Sequence, residues 1–140
     1  MVYKAIDIAN YIINKCTIDL KPVSNLQLQK ILYYVQRESL WRGKPAFNDI
    51  IEAWQFGPVV PEVYYTYCGF GAMKINLRFK EDIEDNLRII IDKIVEEKRT
   101  LDPWVLVEET HAKGKAWDEV YNGGAGNHCE IKQDLIKLKG

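Results

Sequence analysis

With 140 residues, 47% of them hydrophobic and 28% charged, and a formal net charge of −1, the chain is sized and composed for one globular domain, 1–140, whose core needs no staples. That near-neutral balance supplies no basic field for phosphates, which argues against a nucleic-acid partner. No run approaches ~20 apolar residues, so a membrane partner is not expected either.

In chain order, the first helix is expected over about 4–16, with Ala5, Ala9, Ile12, Ile13 and Cys16 as its apolar stripe. Lys4 and Asp7 interrupt the apolar character there, which argues against a signal peptide. The second helix, 25–42, is the best marked. Ser24 and Gln27 form a capping box, and Val23 with Leu28 forms a hydrophobic staple. Leu28, Ile31, Leu32 and Val35 make its buried face, and Gly43 and Pro45 stop it. Tyr33 and Tyr34 are adjacent, so one is expected to pack and the other to lie near the surface. Trp41, beside Arg37, Arg42 and Lys44, is expected under cationic side chains.

A short strand is expected over 50–55, followed by a turn at Gly57-Pro58. Pro61 opens a short aromatic helix that Gly69 ends, with Val63, Tyr64, Tyr67 and Cys68 on one face. The alternation in KINLRF, 74–79, predicts a second strand that pairs with the first. A long helix follows over 81–99, burying Ile83, Leu87, Ile90, Ile91 and Ile94. Its acidic start and its basic end at Lys98 and Arg99 suit the macrodipole. Asp102 and Pro103 start another helix that runs to His111; Gly114 breaks it, and AWDEVY makes another turn or two. The glycines of 122–128 predict a surface loop. Asn127 with Glu130 then suggests a capping box for a last helix that packs Ile131, Leu135 and Leu138. The fold class is mainly α: about six helices around a single core, with a small two-stranded β element.

Three stretches carry a resemblance. SNLQLQKILYYVQ, then EAWQFGPVVPEVY, then THAKGKAW resemble, in that order, the Panacea-domain family, the phage-associated GepA-like and SocA-like proteins that act as antitoxins. The likeness spans roughly residues 3–138. It implies a small, mostly helical, non-enzymatic protein of a toxin–antitoxin system whose partner is a cognate toxin. Direct binding would neutralise the toxin. In the SocA-like branch the alternative is an adaptor that hands the toxin to a protease complex. A homo-oligomer stays open.

The residues themselves carry little chemistry. Cys16, Cys68 and Cys129 are odd in number and far apart, which reads as reduced thiols of a cytoplasmic protein. His128 and Cys129 are neighbours and would not face each other on a helix, so no catalytic residue is assigned. Close ligand pairs are absent from the sequence, so no metal and no cofactor is expected. A third reading, an enzyme acting on a small molecule or peptide, would need a deep polar pocket around His111. Adjacent Glu108 and Glu109 point apart on a helix and read as a solvated face. Arg37, Arg42 and Lys44 are too small a cluster for a nucleic-acid motif. The partner-binding candidates are Trp54, Phe56, Pro58, Tyr64, Tyr65 and His111. Aromatic anchors of this kind dominate protein interfaces. Against that, Trp54 reads first as core, and Thr110-His111 first as a lock on the Gly114 turn. Three tyrosines within four residues of one helix cannot all face inward, so Tyr65 is expected outside.

Overall fold

The computed structural model describes residues 2–140. It is mainly α, as expected, with seven α-helices and a small antiparallel sheet among the described residues. Helix α2 (Asn25–Trp41) is the axis: α1 (Ala5–Ile18), α3 (Pro61–Tyr67), α4 (Asp85–Lys98), α5 (Pro103–Thr110) and α7 (Gln133–Lys139) all pack on it. The sixth helix, α6 (Ala116–Tyr121), bridges α7 and the sheet.

Both arms of the capping box at the start of α2 are present. Ser24 Oγ accepts from the Gln27 amide at 3.3 Å, and Gln27 Oε1 accepts from the Ser24 amide at 3.0 Å. Two first-turn donors are thereby satisfied. Ser24→Ala is expected to cost about 1 kcal/mol, read as a lower urea midpoint with an unchanged slope.

Because helices surround α2, its polar residues are buried too, and they bond to neighbouring backbone. Gln36 Oε1 accepts from the amide of Ala46 at 2.9 Å, and its Nε2 donates to the Phe47 carbonyl at 2.8 Å. Gln29 Oε1 accepts from the Val60 amide at 2.9 Å. Gln29 Nε2 donates to Asn25 Oδ1, and Asn25 Nδ2 to the Tyr64 carbonyl. This chain holds the start of α3 against α2. The same enclosure corrects the split expected for Tyr33 and Tyr34: each is only 3% exposed. Arg37 and Lys98 cover the Tyr34 ring, and its hydroxyl donates to Glu109 Oε1 at 2.9 Å. Arg37 also lies over Trp41, 4.5 Å from the ring centroid, as anticipated for that tryptophan.

The β element is where the chain departs most from expectation. β1 (Glu52–Trp54) pairs with β2 (Gly57–Val59) in a hairpin, and with β3 (Cys129–Glu130) on its other side. The sheet order is β2-β1-β3, three strands where two were expected. The reversal lies at Gln55–Phe56, so Gly57-Pro58 begins the second strand and is not the turn itself. Pro58 is tolerated because β2 is an edge strand. A partner two residues away closes with little loop entropy, and it takes the edge that 74–79 would have used. KINLRF is instead extended chain: Lys74 bridges Ser24, and Ile75 donates its amide to the Val23 carbonyl at 2.7 Å.

Three boundaries shift as well. α4 begins at Asp85, though Ile83 ahead of it is buried as expected. His128 takes a left-handed φ of 68°, and the next two residues form β3, so the Asn127–Glu130 capping box does not exist. α7 then starts at Gln133 and buries Ile136, leaving Leu138 exposed.

Candidate functional site

The hairpin, the N-terminal half of α2, α3 and Trp104 at the start of α5 enclose a cleft of about 440 Å³. Trp54 is its organising side chain. Its ring stacks on His128 with centroids 4.4 Å apart and planes 10° apart. Tyr64 meets the same ring edge-on at 5.0 Å, and Tyr65 lies tilted against it at 5.8 Å. The indole nitrogen donates to Glu52 Oε1 at 2.9 Å, which orients the ring. Across the cleft, Phe56 at the hairpin tip meets Trp104 edge-on at 5.5 Å. Phe56, Tyr65 and Trp104 are 47%, 60% and 57% exposed, so the rim offers aromatic surface to solvent.

Of the six residues singled out in the sequence, Trp54, Phe56 and Tyr64 line this cleft and Tyr65 sits on its rim. Trp54 is half-buried, a cleft wall and not a core residue. Pro58 is buried, its carbonyl turned to Lys30. His111 lies behind the cleft at the end of α5, stacked on Trp117 at 3.6 Å with planes 3° apart. The Trp117 indole donates to the Trp54 carbonyl at 2.8 Å, which ties this stack to β1. Burial lowers the His111 pKa, the Lys30 charge lowers it further, and the Phe56 backbone and Asp118 oppose both. Its Nε2 is buried without a hydrogen-bond partner. Thr110 Oγ1 donates back to the Val107 carbonyl at 3.0 Å, so the Thr-His pair belongs to the helix end and not to the cleft surface.

Among the site residues missed are Trp104, Lys30 and His128, the last weighed only as a neighbour of Cys129. Trp104 follows a proline at a helix start and gave no sign of exposure in the sequence. Lys30 is the largest omission: it reads as one more charge on a helix, yet it is 0% exposed. It lies at the cleft floor, where its Nζ donates to the Pro58 carbonyl at 3.5 Å. Burial pulls its pKa down to about 7. A signal was present. From Leu26 to Val35 the run LQLQKILYYV has apolar or aromatic residues all round the helix, leaving no solvated face for a lysine. Gly57 completes the arrangement. Its φ is +116°, and a β-carbon there would stand 2.7 Å from Lys30 Cε and 2.9 Å from Thr110 Oγ1.

Fold and cleft together define a small helical domain that presents an aromatic hollow on one side of its central helix. Residues 28–118 match the family described as "Antitoxin SocA-like, Panacea domain". The Antitoxin SocA of Caulobacter vibrioides (strain NA1000 / CB15N) is 34% identical over 134 residues, covering 86% of this chain and 71% of that protein. The chain therefore belongs to the SocA-like, Panacea-domain antitoxin family, as the three sequence stretches implied. No solved structure matches it. No helix among the described residues is long and apolar enough to cross a membrane.

Proposed function

We propose that this antitoxin neutralises its cognate toxin by direct contact, without catalysis: the aromatic cleft and its rim cover the toxin's active or target-binding face. The observation that carries this reading is the solvent-facing set Phe56, Tyr65 and Trp104 around the half-buried Trp54 and Tyr64. Rigid aromatic side chains give large contact area at low entropic cost, and they recur as interface hot spots. Pro58 and His111 sit behind this surface and act by positioning the hairpin.

The test is growth rescue. Each gene flanking this one is expressed alone and then with this chain, and toxin abundance is followed alongside growth. Rescue with the toxin intact is the expected result. Trp54→Ala is expected to weaken the isolated complex by about 30-fold or more and to abolish rescue. Tyr65→Ala, at an exposed position that cannot unfold the domain, is expected to weaken it less. Rescue accompanied by a shortened toxin half-life would favour the protease-adaptor reading. Rescue untouched by either substitution would remove the cleft from the interface.

A further inference from the structure

The cleft floor has an asymmetry that the contact reading does not use. Among the described residues, no carboxylate lines the cleft; its basic groups are Lys30 below and His128 on the wall. The other buried polar side chains there are committed, since Asn25 and Gln29 spend their amides on Tyr64, Val60 and each other. Lys30 is not. Its amine has three donor positions and one acceptor, the Pro58 carbonyl, at a long 3.5 Å. None of the ion pairs among the described residues involves it. Lys30 is 0% exposed, so its amine meets an incoming group when the flexible tip swings into the cleft from beneath the backbone of Gly57, which has no side chain to pin it there.

A buried amine with spare donors, below aromatic walls and with no anion of its own, is complementary to one kind of side chain. We propose that the cleft seats an acidic residue of the partner protein, an Asp or Glu flanked by a large apolar side chain. The carboxylate turns the Lys30 amine away from Pro58 into a charge-assisted bond, while the apolar neighbour packs on Trp54 and Tyr64. This deepens the contact reading above and rests on it. Burial fits the assignment: with the pKa held at about 7, the empty cleft carries a protonated Lys30 in only part of the molecules near neutral pH, and an arriving anion raises that share, so docking takes up a fraction of a proton.

The probes are three blocked dipeptides, N-acetyl-Phe-Asp-amide, its Phe-Asn isostere and its Phe-Lys counterpart, titrated into the full chain by NMR. The Trp54 indole and the Lys30 side-chain resonances are the readouts. The Asp peptide is expected to bind about tenfold more tightly than the Asn peptide, and the Lys peptide most weakly. Lys30→Met keeps the stem, removes the amine and is expected to fold; in it the Asp and Asn peptides should bind alike. Equal binding of the Asp and Asn peptides to the wild type overturns the proposal. So does an acid preference that survives Lys30→Met, or the absence of any shift at millimolar peptide. The rescue assay separates the two ideas: rescue lost in Trp54→Ala but no acid preference in the peptides leaves the contact reading standing and removes this one.

Discussion

Lys30→Met is expected to stabilise the protein at pH 7 by roughly 3 kcal/mol, and to flatten its stability above that pH. In the unfolded chain the amine has its ordinary pKa of 10.5; in the fold, burial holds it at about 7. Between those values the unfolded chain binds more protons than the native one, so wild-type stability rises with pH across that window. Below pH 7 both states carry the proton and the dependence ends, with stability at its lower level. The full gap corresponds to about 4–5 kcal/mol at 1.36 kcal/mol for each tenfold step. Relaxation around a buried charge trims such figures, which is why roughly 3 kcal/mol is the expected gain. Urea unfolding of both proteins from pH 6 to 9.5 checks it. Other titrating groups are common to the two chains, so the difference curve isolates Lys30. That difference should shrink as pH rises. A variant less stable than wild type at pH 7 would mean that the amine is held by a partner the fold supplies, and the burial argument would be wrong.

Local signals were legible in the sequence, and signals that depend on enclosure were not. The capping box of α2 and the aspartate cap of α5 involve residues two or three apart, and both are where the spacing places them. Helical periodicity likewise finds the buried faces of α1 and α4. The strands are different. A period of two shows that 74–79 can be extended, but which segment takes the free edge of β1 is decided by loop closure and by what α2 leaves uncovered. The cleft was half visible. Trp54, Phe56, Tyr64 and Tyr65 stood out as an aromatic excess near a Gly-Pro pair, while the residue at the floor could not be ranked by composition. The apolar surround in LQLQKILYYV hinted that Lys30 is buried, but its place at the floor of a cleft beneath Gly57 is a property of the assembled core.

Gly57→Ala is expected to destabilise the fold by about 4 kcal/mol, which makes Gly57 the least replaceable residue of the hairpin. Two penalties combine. At a φ of +116° an L side chain is strained whatever room it has, and Pro58 next in the chain narrows the backbone's options further. The β-carbon would also meet Lys30 Cε at 2.7 Å, Lys30 Nζ at 2.9 Å and Thr110 Oγ1 at 2.9 Å. These neighbours differ in how far they can yield. The Lys30 tip ends a flexible stem with one long hydrogen bond, so it can swing aside. Thr110 Oγ1 sits on a short, branched side chain and shares its one proton between the Val107 carbonyl at 3.0 Å and the Leu106 carbonyl at 3.3 Å of its own helix, so it yields less. A double-mutant cycle should therefore couple Gly57→Ala more strongly to Thr110→Ala than to Lys30→Ala, with a relief of about 1–2 kcal/mol for the threonine. Neither partner change relieves the backbone strain, so about 2 kcal/mol should persist in both double variants. A cost below ~1 kcal/mol for Gly57→Ala would show that β2 can shift off Lys30 and Thr110 cheaply. The hairpin would then be too loosely held to fix Trp54 and Phe56 at the mouth of the cleft.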